Sequence, residues 1–192
     1  MAVNYSSLAH EITNDRSWLK EVVVVLGASI IIALFARVSI PWVPIPLATQ
    51  AQVILVLSCF LGAKRASLAV LTFLAQGLMG LPVFAGGAAG MAIFTGPRGG
   101  YLLGYLAAAF VTGVLIERMS NRTPFKAFAA MGVGNLVVYL FGLPWLSQYV
   151  GWQNVFMVGM APFIIGDLIK LVVATKSLKA LGFFSSLRKS HL

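Results

Sequence analysis

The chain has 192 residues, is 59% hydrophobic and only 10% charged, whereas a soluble domain is about a quarter charged. One soluble core of this size cannot hide so many apolar side chains, so lipid is the expected solvent, and apolar runs of about 20 residues support it. The net charge of +9 sits in short basic clusters between the apolar runs, a topology signal rather than a nucleic-acid footprint.

In chain order, residues 1–21 are polar, with Glu11, Asp15, Arg16, Lys20 and Glu21, and show no small-residue cleavage pattern. They are expected to form a cytoplasmic segment ahead of a retained span rather than a secretory signal. Six spans are expected over 22–175, at Val22–Ile40, Ala48–Gly62, Ala66–Met79, Gly100–Ile116, Phe125–Leu146 and Val155–Thr175. The second and third are short for a bilayer about 30 Å thick, and are expected to tilt or to end beside protein. A basic cytoplasmic tail is expected over 176–192, lying on an anionic leaflet or solvated.

The first span holds the small residues Gly27, Ala28, Ser29, Ala33 and Ala36. Ser29 and Ala33 form a small-x-x-x-small pair that permits close helix packing, either internally or against a partner. The loop P-W-V-P-I-P-L-A-T-Q, Pro41 to Gln50, is biased to extended or turn geometry by its prolines. Cys59, the one cysteine, reads as a packing residue. The loop from Gly80 to Gly100 is glycine-rich and nearly uncharged, so it is expected to fold back against the helices, where glycine allows close approach to backbone or ligand.

The last span contains F-I-I-G-D-L-I-K, Phe163 to Lys170. Asp167 and Lys170 lie at i and i+3 and share a helix face. Ionisable groups inside a span are costly and normally face the protein interior or a cavity. They either pair to fix packing or form a polar ligand site. Pro162 is expected to kink the helix beside them. Arg98, held in T-G-P-R-G-G-Y, could bind an anionic group bidentately. Gln50, Gln52, Gln76, Asn135 and Tyr139 read first as helix–helix hydrogen-bonding residues.

With the N-terminus in the cytoplasm, inside segments carry Arg16, Lys20, Lys64, Arg65, Arg118, Arg122, Lys126, Lys176, Lys179, Arg188 and Lys189, and outside segments only Arg37 and Arg98. Both termini are therefore expected on the cytoplasmic side. No phosphate loop occurs, and His10 and His191 lie far from any span, so neither ATP hydrolysis nor an intramembrane catalytic set is expected.

Four segments, P-I-P-L-A-T-Q (Pro44 to Gln50), G-L-M-G-L-P-V-F-A-G-G (Gly77 to Gly87), G-P-R-G-G-Y-L-L-G-Y (Gly96 to Tyr105) and P-F-I-I-G-D-L-I-K (Pro162 to Lys170), occur in this order on this membrane plan. Together they resemble the BioY family, the biotin-specific substrate-capture components of energy-coupling factor transporters. The resemblance implies an all-α, six-helix membrane protein of a prokaryotic cell membrane. Its glycine-rich outer loop would join helices 3 and 4, with biotin bound near the outer face. Its partners would be a membrane coupling protein and a pair of cytoplasmic ATPases, with no cofactor in this chain.

On that resemblance Asp167 accepts from the ureido N–H groups, and Lys170 and Arg98 hold acceptor groups of the ligand. Gln50, Gly87, Gly99, Tyr101 and Asn135 complete the expected binding set, with Phe94 beside Tyr101 against the ligand's apolar body. Ser29 and Ala33 are the expected docking positions. Two positions depart from the family pattern: Arg98 stands where many members have Thr, and Ser29 replaces the first Ala of A-x-x-x-A. A self-sufficient proton-coupled vitamin carrier, with Asp167 as relay, is the alternative.

Overall fold

The computed structural model describes residues 5–40, 47–119 and 123–180. Helix α1 (Tyr5–Arg37) runs without a break from the polar segment into the first span. The two-residue strands β1 (Ser39–Ile40) and β2 (Leu47–Ala48) then pair antiparallel, Ser39 opposite Ala48. They bracket the proline-rich stretch, whose residues 41–46 lie outside the described residues.

The second and third expected spans form one helical segment, α2 (Gln50–Leu78), broken at Gly62. Gly62 has φ 77° and ψ 177°, a conformation open to glycine and strained for other residues. The contacts along α1 show that the chain reverses there. Thr49 Oγ1 donates to the carbonyl of Phe35 at 2.9 Å, beside one end of α1. Arg65 pairs with Glu21 near the start of the apolar part of α1. Gln76 Nε2 donates back to Ser29 Oγ at 3.3 Å. The break is thus an elbow between two antiparallel arms, each about as long as its expected span.

A helix start leaves N–H groups without partners. At the second arm, the Ala63 N–H donates to Glu117 Oε1 at 2.8 Å, an acid placed where the helix dipole favours one. Gly113 allows this approach, since a Cβ there would lie 2.4 Å from the Ala63 backbone.

The glycine-rich loop does fold back. Phe84 is 1% exposed and makes edge contacts with Phe73 and Phe94 at centroid distances of 5.4 and 5.7 Å. Gly77 leaves the room, because a Cβ there would meet the Phe84 ring at 1.9 Å. A 3₁₀ turn (Ala85–Gly87) and the short helix α3 (Met91–Thr95) complete the loop.

Next come α4 (Gly99–Glu117), α5 (Pro124–Val150), α6 (Val155–Gly159) and α7 (Ala161–Ala180). Thr123 caps α5 by accepting from the Lys126 N–H at 3.3 Å, with Pro124 at its first position, where a missing N–H costs nothing. Helix α4 is the centre of the bundle. Its Leu102 and Ala109 pack in the apolar cluster shared with α1 and α2. Its Tyr101, Ala108 and Ile116 pack in the cluster shared with α5 and α7. Small residues make this possible, since a Cβ at Gly104 would stand 3.0 Å from the Val138 backbone.

Among the described residues, five helical segments are long and apolar enough to cross a membrane: Trp18–Arg37, Gln50–Leu78, Gly99–Glu117, Pro124–Val150 and Val155–Ala180. The α4 span is 56% buried, and the first and last are 22% buried, which leaves the outer helices to meet lipid. The expected tail begins inside α7, and residues 181–192 lie outside the described residues. The bundle has an elbow end, with Glu21, Gly62 and Glu117, and a loop end, with Arg37, Thr49 and Arg98.

Candidate functional site

The last span breaks just before the acid–base pair. Met160, at φ −134° and ψ −51°, separates α6 from α7. Pro162 sits in the first turn of α7, so the break falls slightly before the kink expected from it. The Phe163 N–H turns to the Met160 carbonyl at 2.9 Å. The Gly159 carbonyl receives the Tyr101 hydroxyl at 2.8 Å. The freed backbone acceptor is thus satisfied by a side chain, as an apolar surrounding demands.

Beyond the break, Asp167 is the hub of a polar network. Its Oδ1 accepts from Gln52 Nε2 at 3.2 Å and faces Lys170 Nζ at 3.5 Å. Its Oδ2 accepts from the Tyr139 hydroxyl at 2.5 Å. Gln52 Nε2 also reaches Asn135 Oδ1 at 3.5 Å. Asn135 and Tyr139, at i and i+4, share the face of α5 turned to Asp167. The acid–base pair is thus an intrahelical ion pair that joins a larger polar cluster from α2 and α5.

The cluster extends toward the loop end. The half-buried Tyr105 lies near Gln50, Asp167 and Arg98. Gln50 and Gln52 are buried at the start of α2, and each keeps a buried amide oxygen with no donor among the described residues. Beside the cluster, a cavity of about 430 Å³ opens between α1, the first arm of α2 and α7. Its lining is apolar except for Thr49, Gln52, Lys170 and Ser177. The arrangement can hold a small ligand that offers N–H donors to amide and carboxylate oxygens, and acceptors to Lys170 or Arg98.

Arg98 stands at the start of α4 in a turn fastened from outside. Trp145 Nε1 donates to the Gly96 carbonyl at 2.9 Å, and the Tyr149 hydroxyl donates to the Thr95 carbonyl. Gly99 packs closely against the turn before it. A Cβ at that position would lie 1.9 Å from the Phe94 carbonyl oxygen and 3.0 Å from Trp145 Nε1, so this glycine serves close packing. Gly87, at φ 76°, faces open space. Tyr101 is buried, and its hydroxyl is committed to the α6–α7 break.

Of the two expected docking positions, Ser29 faces inward and Ala33 is half-buried. Ser29 is fully buried, donates to the Leu26 carbonyl at 2.8 Å and accepts from Gln76. Ala33 packs against the cluster formed with α2. Ser29 thus gives Gln76, in the returning arm of α2, a polar partner on α1.

The site residues beyond the expected set are Gln52, Tyr139 and Tyr105. The i, i+4 spacing of Asn135 and Tyr139 is a signal for one of them. Gln52 carries no such signal, since its role depends on the elbow that brings α2 between α1 and α7.

The chain matches the model of the BioY family over residues 6–184. A biotin transporter BioY of Rhizobium etli is 40% identical over 164 residues, covering 80% of this chain and 87% of that protein. A biotin transporter BioY of Thermotoga maritima is 39% identical over 145 residues, covering 75% and 85%. Among solved structures, the crystal structure of the S-component for biotin from an ECF-type ABC transporter superposes with a TM-score of 0.77 at 26% identity, covering 86% of this chain and 92% of the other. The fold agrees with that solved structure and the family match spans nearly the full chain length: this chain belongs to the BioY family.

Proposed function

We infer that this chain is the biotin-capturing membrane component, the S-component, of an energy-coupling factor transporter. One observation carries the reading: in a BioY-family bundle, Asp167 and Lys170 sit among Gln52, Asn135 and Tyr139 beside an otherwise apolar cavity. Biotin matches that chemistry. Its ureido ring has two N–H donors and one carbonyl acceptor, its bicycle is apolar and its tail ends in a carboxylate.

Asp167 takes a ureido N–H, and exchanges part of its hydrogen bonding with Gln52 and Tyr139 for the ligand. Lys170 and Arg98 hold the carbonyl and carboxylate ends, with the guanidinium suited to bidentate contact. The loop end faces outward and receives biotin. Delivery inward is driven by a membrane coupling protein and two cytoplasmic ATPases, since the chain contains no G-x-x-x-x-G-K-[ST] of its own.

Equilibrium binding to the purified protein in detergent tests the reading, with other vitamins as controls. Saturable binding of biotin alone is the expected result. Absence of saturable biotin binding overturns the assignment.

A further inference from the structure

We propose that Gln52 is a specificity-determining residue of the ligand site, whose side-chain oxygen accepts one ureido N–H while Asp167 accepts the other. The inference rests on the biotin reading above and adds to it a residue on a different helix.

Gln52 is 6% exposed. The orientation of its amide follows from its neighbours. Nε2 faces two oxygens, Asp167 Oδ1 at 3.2 Å and Asn135 Oδ1 at 3.5 Å. Turned over, the amide would set its oxygen against both of these acceptors, so the nitrogen belongs there. That leaves Oε1 on the other side, buried and without a donor among the described residues. A buried acceptor left unmet destabilises the fold, and a ligand that brings an N–H removes that cost.

Gln52 also lines the cavity together with Lys170. A donor entering beside Lys170 therefore meets Gln52 without crossing the apolar core. Asp167 Oδ1 and the Gln52 amide are already joined by a hydrogen bond. Two neighbouring acceptors on different helices suit a planar ring with two N–H groups. A rotation of the Gln52 side chain brings Oε1 toward the cavity, and the Asn135 contact, the longer of its two bonds, is the one given up.

The test compares biotin with two analogues, each methylated at one ureido nitrogen, by calorimetric titration of the wild type, Gln52→Leu and Gln52→Asn. The wild type is expected to bind both analogues at least tenfold more weakly than biotin. Gln52→Leu should bind biotin about tenfold more weakly and lose discrimination against one analogue while keeping it against the other. Gln52→Asn retains the amide on a shorter stem, and should show the same loss in part if the leucine variant does not fold.

A residue that merely braces Asp167 would weaken biotin and leave both analogue ratios at their wild-type values, and that result overturns the proposal. Failure of the wild type to bind biotin at all would instead overturn the functional reading.

Discussion

At the scale of single residues, the cost of placing Asp167 in a span is met by three donors: Gln52, Tyr139 and Lys170. Its half-buried side chain still shows 17% exposure, so a ligand can reach it. Asp167→Asn keeps the shape and removes the charge. A hydrogen bond to a charged group contributes about 1.5–3 kcal/mol, so biotin affinity should fall roughly 10–100-fold, as read by calorimetry. Tyr139→Phe removes one hydroxyl and keeps the ring. It should weaken binding only a few-fold, about 1 kcal/mol for one hydrogen bond, because Gln52 and Lys170 still orient the carboxylate. Much of this site was legible in the sequence. An acid and a base at i, i+3 in an apolar run require partners, whatever the fold. Gln52 was not legible as a site residue, because an amide near a span's end looks the same whether it binds a neighbouring helix or a ligand.

At the scale of elements, the apolar runs located the helices, and the elbow at Gly62 falls where the second expected span ends, beside Lys64 and Arg65. The break at Met160 lies inside an unbroken apolar run, where hydropathy gives no signal. At the elbow, a φ of 77° and the capping by Glu117 fix the turn. Gly62→Ala puts a Cβ 2.1 Å from Glu117 Oε1 in a left-handed backbone conformation. Backbone strain of this kind costs about 1–3 kcal/mol, and the displaced carboxylate also leaves the Ala63 N–H unmet. The variant should melt at a lower temperature in detergent. Adding Glu117→Ala removes the clash, so the two losses should combine to less than their sum. The loop turn at Gly96–Gly99 has its own fastening in Trp145 and Tyr149. Trp145→Phe deletes one neutral hydrogen bond, about 1 kcal/mol, and should speed backbone hydrogen exchange over residues 94–100 roughly fivefold. If Arg98 holds the ligand, biotin dissociation should quicken with it.

At the scale of the whole molecule, the elbow joins positions that the sequence spaces far apart, and it also separates the charges. Lys20, Lys64, Arg65, Arg118, Lys126, Lys176 and Lys179 gather toward the elbow end, and Arg37 and Arg98 stand at the loop end. Positive charge near span ends is retained on the cytoplasmic side, so the loop end should face outward. That orientation is required for a capture component, since the cluster around Asp167 lies nearer the loop end. It can be read directly by cysteine labelling. Cys59 is buried in the core, so its own reaction with a charged maleimide should be low. Met91→Cys places a thiol on α3 at a position that is 61% exposed, and Lys64→Cys places one at the exposed elbow. In intact cells, a membrane-impermeant maleimide should label the Met91→Cys protein and leave the Lys64→Cys protein unmodified until the membrane is opened. The reverse pattern would put the glycine-rich loop in the cytoplasm. The site would then open to the wrong compartment for uptake, and the charge argument and the capture reading would fail together.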